Sequence, residues 1–244
     1  MIKHSLTAIA LAMSLGTSVA AGAHDGHDNH SGGLKAPENK AVKAPFDIVH
    51  ARISTSGNVA TFHIAVSGKA GASKPARTGT LAGSSVYSYV WPTTLDPAVV
   101  GFEPKSGILA FAVTAHPDFD DTPLFVAPPG SWHSHWVVLQ PDDSCGKGAL
   151  KVVDIAEGAH PKLPKTWPGL PILIDSPGWQ PVFKDGTLEV KVPFDDITVV
   201  NAASFDGVTS GLRVNASVHA PLLCVADVFK VVSGNLSLPG KVNQ

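Results

Sequence analysis

The sequence predicts an all-β protein: an antiparallel sandwich or barrel of roughly ten strands, with one long proline-rich loop. Three observations carry this expectation. Short alternating runs of apolar residues recur through the body, bounded by Gly, Pro, Asp and Asn. The 20 prolines and 23 glycines are spread between those runs, where they close turns and break helices. No run of about a dozen residues carries the 3.6-residue apolar period of an amphipathic helix.

In chain order, the strand expectations fall at 46–54, 58–67, 84–90, 108–115, 123–127, 132–140, 150–156, 187–193, 210–219 and 222–232. The 58–67 run sets Phe62, Ile64 and Val66 on one face and His63 on the other. The 108–115 run puts Ala110, Ala112 and Thr114 on the face that continues to His116. In 210–219, His219 lies opposite Val214, Ala216 and Val218. Residues 157–181 form the proline-rich excursion, a connection long enough to be functional or to pack as an ordered flap.

The first 23 residues have the pattern of a secretory signal peptide, with Lys3 at the start, a short apolar stretch and Ala21-Gly22-Ala23 as a small-residue cleavage site. Residues 24–44 are polar and His-rich, the composition of a flexible tail. Residues 45–244 then read as a single β-sandwich domain. A periplasmic or secreted location follows, with no membrane insertion of the mature chain. A net charge of −2 offers no basic field for nucleic acid, and 44% apolar against 16% charged residues favours a folded body.

Cys145 and Cys224 are the two cysteines. In an oxidising compartment they are expected to pair as a disulfide; the alternative is a thiolate copper or redox site. Both methionines, Met1 and Met13, fall within the leader, so the mature chain has no thioether for copper(I) or haem.

The chemistry-bearing pattern is Gly130-Ser-Trp-His-Ser-His-Trp136. Alternate residues of a strand share a face, so His133 and His135 project together, as a β-protein presents paired nitrogen ligands. Both faces turn apolar beyond Trp136, which predicts a strand running through the interior with its histidines at one end. A firm site needs three or four ligands. His116 is the expected third, and Asp118, Asp120 and Asp121 beside it offer carboxylates as ligands or as acceptors for an imidazole N–H.

His63 and His219 are further candidates, although each lies on the polar face of its strand and reads more readily as a surface residue. His24, His27 and His30 in the tail form a flexible chelating set. His133-Ser-His-Trp136 resembles the His-x-His-Trp metal strand of α-class carbonic anhydrases. That resemblance covers four residues and carries no activity with it.

No Gly-x-Ser-x-Gly elbow, phosphate loop or His-Glu-x-x-His helix occurs. The expected function is therefore binding of a zinc or copper ion for storage, delivery or resistance, with a membrane transporter or recipient metalloprotein as partner. The alternative is a His-ligated metalloenzyme, a hydrolase or lyase with an activated metal-bound water. A third reading is a carbohydrate- or protein-binding module using Trp132, Trp136, Trp167, Trp179, Tyr87 and Tyr89.

Overall fold

The computed structural model describes residues 32–121, 128, 130–215 and 221–244. The described body is nearly all β, as expected. Its strands are β1 (Leu34–Lys35), β2 (Ile48–Ser56), β3 (Val59–Val66), β4 (Ser85–Pro92), β5 (Ile108–Ala115), β6 (His133–Pro141) and β7 (Leu150–Val152). Within the proline-rich excursion lies β8 (Ile174–Asp175), and after it come β9 (Val182–Lys184), β10 (Thr187–Pro193) and a short helix α1 (Ile197–Asn201). Then follow β11 (Ser204–Phe205), β12 (Val208–Val214), β13 (Leu223–Val231) and β14 (Gly240–Lys241). The strand expected at 123–127 and His219 lie outside the described residues, as do the leader and His24, His27 and His30.

Two layers form around two cores. One layer is a five-stranded antiparallel sheet in the order β1-β2-β3-β10-β9. The other is a barrel: β5-β4-β12-β13-β7-β6 are hydrogen-bonded in that order, and a β5–β6 pairing closes the ring. Closure removes the exposed edges that an open sheet would present. Leu34–Lys35 pairs with β2, so part of the stretch with tail-like composition joins the five-stranded sheet.

Strand alternation decides which core each barrel residue enters. On β6, Trp136 and Val138 point outward into the core shared with the five-stranded sheet. There Trp136 meets Phe62 of β3 at a ring-centroid distance of 5.8 Å and Phe111 of β5 at 4.9 Å. Val137 and Leu139 point inward to a second core with Val90, Ala112, Val208 and Leu212. Burying one indole is worth about 4–6 kcal/mol of apolar transfer. A one-residue slip of β6 would exchange the two sets, so Trp136 also fixes His133 and His135 as inward-facing. Gly107 sets the start of β5 against β6: at φ +147°, a Cβ there would lie 2.6 Å from the Leu139 carbonyl oxygen.

Cys145 and Cys224 form the expected disulfide, with Cα atoms 5.4 Å apart and a sequence separation of 79. It ties the turn after β6 to the start of β13. Closing a loop of this length removes about 4 kcal/mol of unfolded-state entropy in the chain-entropy account. Reduction is therefore expected to lower the urea midpoint clearly. Equal midpoints with and without dithiothreitol would show that the crosslink contributes nothing.

The aromatic residues read as a binding platform are largely core. Trp136 and Tyr89 are fully buried and Trp132 nearly so. Tyr89 and Trp132 pack together at 5.1 Å, with the Trp132 indole donating to the Gly71 carbonyl. Tyr87 and Trp179 are partly buried and pack against the same core, and Trp167 is partly buried with its indole donating to the Leu170 carbonyl.

Candidate metal centre

Three strand-borne histidines meet at one end of the barrel. The β5–β6 register sets Thr114 opposite His133 and Ala112 opposite His135. His116 follows β5 directly and shares the inward face of Ala112 and Thr114. The chain then turns through Pro117-Asp118-Phe119-Asp120 and returns Asp121 to the same point. Phe119 holds this turn by stacking on the His116 ring at 4.0 Å, with 5° between the planes. Asp118 points away and accepts from the Thr78 and Gly79 amides at 2.9 and 2.7 Å.

His116, Asp121, His133 and His135 are all buried, and one donor atom from each lies within 4.8 Å of the others. His116 Nε2 lies 2.9 Å from His133 Nε2. Asp121 Oδ1 is 2.9 Å from His133 Nε2 and 3.3 Å from His116 Nε2. His135 Nε2 faces Asp121 Oδ2 at 3.6 Å and has no hydrogen bond among the described residues.

The other ring nitrogens settle the tautomers. Nδ1 of His116 donates to the Phe119 carbonyl at 3.0 Å, and Nδ1 of His133 to the Ser131 carbonyl at 2.9 Å. Nδ1 of His135 reaches the Asp175 carbonyl at 3.2 Å and Ser176 Oγ at 3.1 Å. A carbonyl only accepts, so each Nδ1 carries a proton and each Nε2 points inward beside Asp121. A metal ion between these atoms would take the Nε2 lone pairs and the carboxylate as its donors. Four ligands about 2.0–2.1 Å from a tetrahedral ion stand about 3.3 Å apart, which the observed separations bracket. Carbonyl-anchored imidazoles are also how proteins orient histidine ligands.

Burial pushes the His135 imidazole down to about 3, more than the nearby Asp121 charge raises it. Burial also works to raise the Asp121 carboxyl, but the His135, His116 and His133 rings together hold it well below the usual carboxylate range. At neutral pH the centre thus holds a neutral His135 ring and a negative Asp121.

A cavity of about 220 Å³, lined by His116, His133, Arg77, Asp118, Phe119 and Ser131 among others, borders two of the ligands. Comparison of the chain with protein-family models, with curated proteins and with solved structures returns no match. The chemistry of the centre therefore stands on its own residues.

The structure brings together His116, His133 and His135 of the sequence candidates and adds Asp121, which sequence reasoning named only as a minor carboxylate. Its signal was its position, five residues after His116 across a turn. His63 is elsewhere: it stands on β3 in the five-stranded sheet, with Nδ1 3.1 Å from Glu189 Oε1 on β10 and its ring 5.4 Å from His50. It is buried, not a surface residue, because that face of β3 is also covered. The proline-rich excursion, expected to be functional or to pack as an ordered flap, lies against β6 beside the centre. Its β8 pairs with β6, and Asp175 and Ser176 orient His135.

Proposed function

We propose that the protein binds one divalent transition-metal ion, zinc or copper, between His116, Asp121, His133 and His135, for storage, delivery or resistance. The observation that carries this reading is the convergence of three carbonyl-anchored imidazoles and a carboxylate in a buried pocket. Three nitrogens and one oxygen are borderline-to-hard donors suited to Zn²⁺ or Cu²⁺. Both cysteines are in the disulfide and both methionines are in the first 23 residues, so copper(I) is left without a soft donor.

In this reading the first 23 residues direct export and are removed. The His24, His27 and His30 segment captures ions and passes them by ligand exchange to a single folded domain. The disulfide supports an oxidising compartment such as the periplasm. Among the described residues no helix is long and apolar enough to cross a membrane. A transporter or recipient metalloprotein would be the partner.

The test is element analysis of the exported protein with and without residues 24–31. About one equivalent of zinc or copper is expected to stay with the shortened form. Loss of all metal with that segment would overturn the buried site. A second reading, metal-assisted hydrolase or lyase chemistry, is favoured by the 220 Å³ cavity beside His116 and His133. If it holds, azide is expected to perturb the visible spectrum of the cobalt-substituted protein by taking an open coordination position. An unchanged spectrum would favour the closed four-ligand site.

A further inference from the structure

The barrel interior below the histidines is not filled. A chamber of about 90 Å³ is lined by Val90, Ala112, Thr114, Val137, Val208 and Leu212 among others. Small side chains face each other at its centre, where Ser88 and Ser210 are register partners on β4 and β12. Close-packed interiors seldom keep a void of this size without a reason.

The chamber's polarity decides what it would hold. Ser88 and Ser210 satisfy one another, with their hydroxyl oxygens 2.7 Å apart. Among the described residues Thr114 Oγ1 is buried without a partner and is the polar atom left on the lining for a guest. A buried water needs two to four polar partners, so water is poorly held here, whereas an apolar guest loses nothing. An engineered apolar cavity of about 150 Å³ stays dry and binds benzene or xenon. A chamber of 90 Å³ therefore takes a smaller guest.

The two ends of the chamber differ. Val228, which is 57% exposed, and Leu236 line it where it nears the surface, giving an apolar approach. At the other end Thr114 faces His133 across the sheet, Ala112 faces His135, and Val137 is the next inward residue on β6. We propose that the barrel interior is a binding chamber for a small apolar molecule of xenon or dioxygen size, held one residue layer below His133 and His135. This rests on the cavity itself and stands whether or not the centre above it binds metal.

Xenon is the probe. Titration of the full-length protein with dissolved xenon, followed by ¹²⁹Xe NMR, is expected to show a saturable shift. Xenon-pressurised crystals are expected to show a density peak between Thr114 and Leu212. Val208→Phe, which fills the chamber, is expected to abolish saturation, as is the milder pair Val90→Leu with Val225→Leu if Val208→Phe does not fold. Thr114→Val removes the unpaired hydroxyl at constant shape and is expected to keep or tighten binding. A shift linear in xenon for the wild type would overturn the proposal. So would saturation unchanged in a folded filling variant, or a density peak outside the barrel. Metal content is read on the same samples, so failure of the chamber and failure of the metal site are distinguishable.

Discussion

Loading with zinc or copper is expected to raise the melting midpoint of the protein by roughly 8–16 °C, and the His133→Ala/His135→Ala variant is expected to lose that rise. A ligand that binds only the folded state stabilises it by about 4 kcal/mol at a thousandfold excess over its Kd. For a chain of this length each kcal/mol moves the midpoint by about 2–4 °C. The four donors are contributed by β6, the end of β5 and the turn after it, so the unfolded chain does not preform the site.

The comparison has to be made between rises, not between absolute midpoints. Removing the two rings leaves buried Asp121 with the His116 ring alone beside it, and breaking a buried ion pair costs up to about 3–5 kcal/mol by itself. Differential scanning calorimetry of both proteins, with and without metal, separates these effects. An equal rise in the double variant would place the stabilising ion somewhere other than this centre.

Much of this was legible in the sequence, for identifiable reasons. The alternation His133-Ser-His-Trp-Val-Val-Leu139 fixes both a strand and the shared face of the two rings, because strand geometry has a period of two. His116 was legible because Ala110, Ala112 and Thr114 lead to it on one face. Asp121 was not, since a turn has no period and Asp118, Asp120 and Asp121 are chemically alike. The Phe119 stack on His116 and the Asp118 cap on Thr78 and Gly79 help decide which carboxylate turns inward.

Barrel closure was equally hidden. The β5–β6 pairing that completes the ring joins strands whose alternation would serve a sandwich as well. The two-residue strands β1, β8, β11 and β14 are too short to show any pattern. Nor does composition foretell that a proline-rich excursion will buttress His135, because the contact is made by the Asp175 backbone carbonyl, which every residue has, as well as by Ser176.

In the metal-free protein, stability is expected to fall steeply as the pH drops from about 6.5 towards 3. Burial foremost, and then the neighbouring His133 and His116 rings, hold the His135 imidazole at about 3 against its ordinary 6.5, despite the pull of Asp121. The unfolded chain takes up a proton on His135 below 6.5 that the folded chain refuses. The stability tied to His135 is therefore complete above 6.5 and is lost progressively down to the folded value. At full titration this loss is on the order of 5 kcal/mol, comparable to the whole stability of many domains.

Asp121 acts with the same sign lower on the scale. Its folded value lies well below the ordinary 3.8, so its contribution is present above 3.8 and lost as the pH falls further. Urea midpoints measured from pH 7 to pH 3 read the combined slope, which reaches about 1.4 kcal/mol per pH unit for each proton taken up differentially. His135→Gln keeps a polar side chain that does not titrate. It is expected to flatten the curve between 6.5 and 4 while leaving the limb below 3.8 in place. A curve as steep as the wild type's would mean that His135 is not the group whose protonation opposes the fold. Zinc or copper binding occupies the same lone pairs, so the loaded wild type is expected to unfold at a lower pH than the metal-free form.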